Sequence, residues 1–144
     1  MTESSFNKDT TNVNTNGTID RGLMQMNSNT APGVARHVGF DYYVGIEYIP
    51  ENNIKMGTYY IAAKIKEVGG SDYHKGLTSY NRGSGGARTY YNNNGTYESS
   101  YSKKVMGYGE VFKKAEKKIC KKPCTKKPCK KICKKPVAKR VTKK

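Results

Sequence analysis

The sequence predicts a mainly helical (mainly α) domain over residues 1–112, followed by a disordered, lysine-rich C-terminal tail over residues 113–144. Three observations support this: an apolar stripe of helical period after Pro50, a second such stripe from Tyr101, and a sharp change of charge after residue 112. A chain of 144 residues suits one modest domain rather than two.

The N-terminal part is expected to contain little helix. Residues 10–20 are mostly Thr, Asn and Gly, and they predict an irregular loop or a short hairpin. An Asn-Gly pair in this stretch is the strongest turn signal, because both residues tolerate a positive φ. A short helix is expected next, with Ser28 or Asn29 as its N-cap, Val38 near its end and Gly39 after it.

The clearest helix begins after Pro50 and ends at Gly69-Gly70. Its apolar positions trace one helical face: Ile54, Met56, Gly57, Ile61, Ile65 and Val68. We expect this face in the core, and we assign Leu23 and Met26 to the core with Ile54.

A shorter segment leads from there to Tyr80. Three glycines between residues 83 and 86 predict a break in regular structure, so Asn81 and Arg82 are expected on a loop.

Ser99 or Ser100 is expected to cap a last helix that runs into the tail, with Pro123 as a late stop. Apolar residues recur in this segment at spacings of three and four: Tyr101, Val105, Tyr108, Phe112 and Ala115.

The charge of the chain is concentrated at one end. Residues 113–144 hold 15 Lys and one Arg against one Glu, whereas residues 1–112 hold 11 basic and 10 acidic residues. The formal net charge of +16 therefore describes the tail, and the preceding domain is nearly neutral. No run of about 18 apolar residues predicts a membrane span, and the first residues do not resemble a secretory signal.

Three short segments carry the chemistry: residues 3–7 (ESSFN), 22–27 (GLMQMN) and 80–83 (YNRG). They supply a carboxylate, a Gly-led apolar turn with an amide, and a Tyr-Asn-x-Gly sequence. A cleft needs such groups to protonate a sugar oxygen and to hold N-acetyl groups.

In this order, the three segments resemble the SLT family of lytic transglycosylases, which share the goose-type lysozyme-like fold and cut bacterial peptidoglycan. Residues 50–61 and 101–105 also fall in the family's order. The resemblance implies an α+β, lysozyme-like form of the helical domain, N-terminally short, that acts on peptidoglycan at the bacterial cell wall. We expect no cofactor, no metal and a monomer.

Glycosidic cleavage needs a carboxylic acid that stays protonated near neutral pH, and burial against apolar groups raises the pKa of a Glu. The resemblance implies that Glu3 is this acid, and Phe6, Met24 and Tyr80 are expected to form dry walls around it. In the family, one Glu protonates the bond between N-acetylmuramic acid and N-acetylglucosamine. It then acts as base while the muramoyl 6-hydroxyl attacks its own anomeric carbon, which gives a 1,6-anhydro product.

The resemblance implies substrate-binding or positioning roles for six further residues: Ser4, Met24, Gln25, Tyr80, Asn81 and Tyr101. Ser4 would help orient the acid, and Tyr101 matches a late tyrosine that lies near it. Asn81 suits an N-acetyl or backbone contact, because an amide both donates and accepts hydrogen bonds.

The sequence departs from the family before the acid. Family members place the Glu at the end of a helix of ten or more residues, whereas Met1 and Thr2 alone precede Glu3 here. Without that helix, the acid is expected to be frayed, because terminal residues make few contacts. The expectation is therefore that the true start lies upstream, that the chain is a fragment of a longer protein, or that its activity is impaired. A hydrolytic lysozyme would need a second carboxylate, for which Asp20 is the candidate, although a turn aspartate more often bonds nearby backbone.

The tail suggests adhesion to a polyanion. Its cysteines, at a spacing of C-x3-C-x4-C-x3-C, do not match the C-x2-C pair of common zinc modules, so disulfides or free thiols are favoured over zinc: Cys120, Cys124, Cys129 and Cys133. Dense lysines bind anionic polymers by releasing counterions. The absence of aromatic residues after Phe112 removes base-stacking platforms, so an anionic wall polymer is favoured over nucleic acid.

Two hypotheses of different classes follow. The first is a lytic transglycosylase held at the wall by its tail. The second is a non-catalytic cell-wall or polyanion-binding protein with a degenerate lysozyme-like fold.

Overall fold

The computed structural model describes residues 3–68 and 70–120, with side chains as far as residue 115. The chain divides into two units, Met1–Met106 and Gly107–Lys144. The described part of the second unit is the end of the last helix. None of the helices in the described ranges has the length and apolar content needed to span a bilayer.

A small antiparallel sheet follows the first turn of the chain. Its strands are β1 (Thr11–Val13), β2 (Ile19–Arg21) and β3 (Met26–Asn27), paired in that order. The β1–β2 turn is closed by a hydrogen bond from the Asn14 N–H to the Thr18 carbonyl (2.8 Å), and Gly17 adopts a φ of 79°. The predicted hairpin is therefore confirmed.

Two helices follow the sheet. Helix α1 spans Ala31–His37, so it begins slightly later than predicted, and Thr30 at its N-cap makes no side-chain capping bond. A 3₁₀ turn at Ile46–Tyr48 leads into α2, Pro50–Glu67. Pro50 occupies the first turn of α2, where a missing N–H costs nothing. This helix has the start that the sequence predicted.

Helix α3 spans Tyr73–Asn94 and is bent at Gly83, whose φ of 70° and ψ of 162° are not helical. The predicted break in regular structure is confirmed at Gly83, but the predicted loop is wrong: Asn81 and Arg82 end the first helical segment, and the second segment begins at once. Gly85 and Gly86 lie inside this second segment, because a glycine weakens a helix without being required to end it.

Helix α4 spans Ser100–Cys120. Ser99 precedes it, is buried, and its hydroxyl accepts a hydrogen bond from the Ser102 N–H at 3.2 Å, as predicted for an N-cap. The helix continues past residue 112, the predicted domain boundary. The rest of the predicted disordered tail, the Pro123 stop and three of the cysteines lie outside the described residues.

The core lies where α1, α2 and the end of the sheet meet. Its buried members are Met26, Ala31, Val34, Ala35, Ile46 and Met56. Met26 is thus in the core as expected, but Ile54 is 43% exposed and its assignment was wrong. The helical stripe predicted Met56 and Gly57 correctly, since both are buried. This core supports the base of the cleft described next.

Candidate active site

A cleft of about 480 Å³ opens in the first unit. It is lined by a turn at residues 3–6, here called the acid turn, by residues 11–27, here called the hairpin wall, by Thr30 and Tyr60, and by the end of the first segment of α3. The polar and aromatic side chains at the cleft include Glu3, Asn14, Asp20, Gln25, Asn27, Tyr60, Tyr80, Asn81 and Arg82.

The hairpin wall is fixed from below by Asn53 of α2, which is fully buried. Its side-chain oxygen accepts the Met24 N–H at 2.7 Å, and its amide donates to the carbonyls of Arg21 (3.0 Å) and Glu47 (2.6 Å). Gly22 has a φ of 76°, and a Cβ there would overlap the Glu47 carbonyl oxygen and the Asn53 amide. The turn between β2 and β3 is therefore locked onto α2.

Glu47 completes this support and was not predicted from the sequence. Its carboxyl is fully buried and accepts the Tyr42 hydroxyl at 2.9 Å and the Gly45 N–H at 3.0 Å. The Arg21 guanidinium lies 3.5 Å from the same carboxyl. A buried carboxylate needs such partners, because leaving it unpaired would cost several kcal/mol (about 3–5). Glu47 stabilises the floor and does not line the cleft.

Gln25 lines the cleft, but its side chain is engaged within the wall. Its amide donates to the carbonyls of Gly22 (2.8 Å) and Thr10 (3.1 Å), and its oxygen accepts the Asn12 amide. The residue has a φ of 49°, and these bonds hold it in that left-handed conformation. Gln25 thereby shapes the wall as well as bordering the cleft.

The acid turn is attached to the hairpin wall by Ser4. The buried Ser4 hydroxyl donates to the Leu23 carbonyl at 2.9 Å, and the Ser4 carbonyl accepts the Asn7 N–H at 3.0 Å. Ser5 and Phe6 turn the chain with positive φ angles of 52° and 68°. Phe6 is 72% exposed, so its predicted role as a dry wall around Glu3 was wrong.

Glu3 combines burial with an unsatisfied oxygen. Burial raises the pKa of its carboxyl above the ordinary value of 4.5, and the nearby Asp20 charge raises the pKa further, whereas the Tyr101 hydroxyl lowers it. The Oε1 atom is buried and has no hydrogen-bond partner among the described residues. Such a carboxyl favours its neutral form, which is the form that can donate a proton.

Asp20 borders the same cleft from β2. Its two oxygens accept hydrogen bonds from the side-chain amides of Asn14 (2.9 Å) and Asn27 (2.7 Å). Asn27 lies opposite Asp20 in the β2–β3 register, so the strand pairing brings these side chains together. Asp20 was predicted to bond nearby backbone, but its partners are two side-chain amides.

The α3 side of the cleft is built around Tyr80. Its hydroxyl donates to the Met24 carbonyl at 2.7 Å, and its ring packs on Tyr60 with centroids 5.5 Å apart. Burial and the nearby Glu3 charge raise the pKa of the Tyr80 hydroxyl, which keeps it a donor. Asn81 and Arg82 are exposed at the rim, and the bend at Gly83 ends the helical segment there.

Comparison with known families decides the classification. The sequence model of the family described as Transglycosylase SLT domain matches residues 1–103. This match covers more than half of the chain and includes every part of the cleft. The chain belongs to the SLT domain family. No curated protein and no solved structure matches it. Membership confirms the lysozyme-like, mainly helical class predicted from the sequence, supports a lytic transglycosylase-like function, and indicates peptidoglycan as the substrate class.

Within this SLT domain, the predicted site residues fall into two groups. Glu3, Gln25, Tyr80 and Asn81 line the cleft itself. The others lie behind the lining. Met24 is bonded to the lining residue Tyr80, Tyr101 is bonded to Glu3, and Ser4 follows Glu3 in the chain and is bonded to Leu23. Met24 also packs against Gly57, where a Cβ would clash with its side chain.

Several cleft residues of the SLT domain were missed. Asn14 lies in no motif, and Asn27 and Tyr60 lie in the segments 22–27 and 50–61 but were given no role. The positions of all three depend on strand register and helix packing. The Asp20–Asn27 pair could have been found from the hairpin, had its register been known. Within the described residues, no group of three or more His, Cys, Asp or Glu side chains is placed to hold a metal ion.

Proposed function

We propose that this chain cleaves the β-1,4 bond between N-acetylmuramic acid and N-acetylglucosamine in peptidoglycan without water, leaving a 1,6-anhydro end. The observation that supports this best is Glu3: a carboxyl facing a saccharide-sized cleft, with a raised pKa and a buried oxygen that lacks a partner. These are the properties of a general acid.

In the first step, the Glu3 carboxyl transfers its proton to the glycosidic oxygen as the bond between that oxygen and the anomeric carbon breaks. The sugar ring gains positive charge, and Glu3 becomes a carboxylate. The Tyr101 hydroxyl favours this ionised form, because its interaction lowers the pKa of Glu3. In the second step, the oxygen of the muramoyl 6-hydroxyl forms a bond to the anomeric carbon, and Glu3 takes the proton of that hydroxyl. The proton thus returns to Glu3, and no water is consumed.

The remaining residues would position acid and substrate. Ser4 fixes the acid turn through the Leu23 carbonyl, and Tyr80 fixes the opposite side through the Met24 carbonyl. Asn81 at the rim has a side-chain amide that can donate and accept at an N-acetyl group. The amide group of Gln25 is bonded to the carbonyls of Thr10 and Gly22. Gln25 would therefore contact the sugar as part of the surface of the wall.

A second candidate, hydrolysis, is favoured by Asp20. This carboxylate borders the same cleft as Glu3, and two asparagines hold it in place. Paired carboxylates allow one group to protonate the leaving oxygen while the other activates water or stabilises the cation. Hydrolysis would leave reducing ends in place of anhydro ends.

The lysine-rich tail is proposed to hold the enzyme on an anionic wall polymer, which places its activity at the bacterial cell wall. Its described part is the end of α4, where Lys113 pairs with Glu110 at 2.8 Å. If the tail were instead the whole function, as in a non-catalytic wall-binding protein, the chain would be retained on walls without cutting them.

The test is to digest purified peptidoglycan and weigh the released muropeptides. Anhydro ends, which are lighter by one water than reducing ends, support the proposal. Reducing ends support hydrolysis instead. Glu3→Gln should slow cleavage by about 10²- to 10⁴-fold, since an amide cannot donate the proton. Glu51→Gln, at an exposed position on α2, is the matched control and should cleave like the parent. Equal cleavage by Glu3→Gln would show that another group is the acid.

A further inference from the structure

A second pocket, of about 280 Å³, lies on a different side of α3 and shares no lining residue with the cleft. Tyr80 borders the cleft, whereas its neighbour Ser79 borders this pocket, as expected for consecutive residues that point about 100° apart on a helix. The pocket is also lined by Lys75, Arg88 and Tyr97.

The pocket is positively charged. Lys75 and Arg88 line it, no Asp or Glu does, and neither cation forms an ion pair within residues 3–68 and 70–115. The Lys75 Nζ lies 5.2 Å from the centroid of the Tyr97 ring, which forms one wall. Two unpaired cations in one concavity attract an anion.

One carboxylate near the pocket is Glu67, which precedes the lining residue Val68 and is bonded to the lining residue Ser84. Its charge is already matched: Lys64 lies 2.8 Å from one oxygen, and the Ser84 hydroxyl donates to the other at 3.0 Å. Lys64 lowers the pKa of Glu67, as this pairing requires. Glu67 therefore leaves Lys75 and Arg88 available for another anion.

Ser79 adds a hydroxyl to the pocket. The residue is only 2% exposed, yet it lines the pocket, and its side chain makes no hydrogen bond to the described residues. Its hydroxyl can therefore donate a hydrogen bond to a bound anion. Ser84 and Gly85, at the start of the second segment of α3, also line the pocket, and the N-terminal end of a helix carries partial positive charge.

We infer that this pocket binds a small oxyanion, a carboxylate or a phosphate group, through ion pairs with Lys75 and Arg88 and a hydrogen bond donated by Ser79. The anion could be the carboxylate of a wall peptide, a source that rests on the proposed function, or the phosphate of an anionic polymer. Oxyanion binding itself does not depend on cleavage.

The experiment is a residue-resolved ¹H–¹⁵N NMR titration of the full chain with inorganic phosphate and, separately, with N-acetyl-alanyl-alanine. Sodium chloride at matched ionic strength is the reference. Following the backbone amides of Ser79, Gly85 and Ala87 separates this pocket from the lysines of the tail. We expect saturable shifts at these amides. Saturation by phosphate alone identifies a phosphate source, saturation by the peptide alone identifies a carboxylate, and either result supports the site.

Variants then test the geometry. Arg88→Gln changes an exposed side chain and should weaken binding about tenfold, which is about 1.4 kcal/mol, because it removes one of the two cations that pair with the anion. Ser79→Ala should weaken it about three- to tenfold. Arg36→Gln, on exposed α1 surface, is the matched control and should change affinity less than twofold. The inference is overturned if the shifts do not saturate, if chloride reproduces them, or if Arg36→Gln weakens binding as much as Arg88→Gln. None of these results touches the assignment of Glu3, because no glycan is cleaved in the experiment.

Discussion

The hairpin wall and the acid turn border the same cleft but are held in different ways. The hairpin wall is bonded to buried Asn53 by two hydrogen bonds, Asn53 is bonded in turn to the Glu47 carbonyl, and Gly22 sits directly against Glu47 and Asn53. The acid turn is held mainly by the Ser4 hydroxyl on the Leu23 carbonyl and by the contact of Glu3 with Tyr101. The substrate-shaping side is thus part of the core, whereas the acid is placed on it by a few polar contacts.

This difference separates stability from activity. Changes beneath the hairpin wall should unfold the domain, and changes in the acid turn should alter catalysis while leaving the fold in place. The following predictions test that separation, beginning with the largest expected effect.

Asn53→Ala should lower the free energy of unfolding by about 3–5 kcal/mol, because it leaves one buried N–H and two carbonyls without their partner. Chemical denaturation followed by circular dichroism measures this loss. The neighbouring Asn52→Ala is the control, since Asn52 makes no side-chain hydrogen bond in the described ranges, and it should change stability by less than about 0.5 kcal/mol. A small effect of Asn53→Ala would mean that the wall is not fixed by α2.

Gly22→Ala should cost about 3 kcal/mol, because the added Cβ overlaps buried atoms and the backbone has a positive φ. Gly17→Ala separates the two causes: its φ of 79° is similar, but nothing lies within 4 Å of its Cβ position. That control should cost only about 1 kcal/mol, the strain of the left-handed conformation. Equal losses would show that the close packing of Gly22 contributes nothing.

The sequence predicted the parts of this architecture that depend on neighbouring residues. The Asn-Gly turn predicted the hairpin, Pro50 and the stripe through Met56 predicted α2, and Ser99 predicted the cap of α4. The break of α3 at Gly83 was predicted, but the helical segment that continues through Gly85 and Gly86 was not, because glycine propensity is weak evidence once a helix is packed.

Tertiary contacts decided the rest. The Asn53 and Glu47 networks join segments that are distant in sequence, so no local pattern indicates them. The exposure of Phe6 follows from positive φ angles in the acid turn, which its sequence does not signal. The site motifs located the lining residues Glu3, Tyr80 and Asn81, but the partners of Asp20 required the strand register.

Ser4→Ala should have a smaller effect on stability, a loss of about 1 kcal/mol for one side-chain hydrogen bond. Its effect on cleavage should be larger than its effect on folding, because the acid turn loses its bond to Leu23. Ser5→Ala is the matched control, since that side chain is exposed. Parallel measurement of the unfolding free energy and of muropeptide release checks both. The comparison fails if Ser4→Ala unfolds the domain or if both variants cleave equally.

The smallest expected effect is a pH dependence of stability. Because the pKa of Glu3 is raised on folding, the neutral carboxyl is favoured in the native state. This contribution is complete below pH 4.5 and is lost as pH rises through the native pKa. Gln cannot ionise. The free energy of unfolding of Glu3→Gln minus that of the parent should therefore be larger at pH 7 than at pH 4. Unfolding curves at the two pH values measure this, and an unchanged difference would contradict it.

The most direct test of the account is the titration of the Glu3 carboxyl carbon by ¹³C NMR, with Glu3→Gln to assign the signal. Burial in the cleft predicts a midpoint above 4.5, the ordinary value for this group. Tyr101→Phe should move the midpoint higher still, since the tyrosine hydroxyl favours the ionised form. A midpoint at or below 4.5 would contradict the claim that the cleft raises the pKa of its acid.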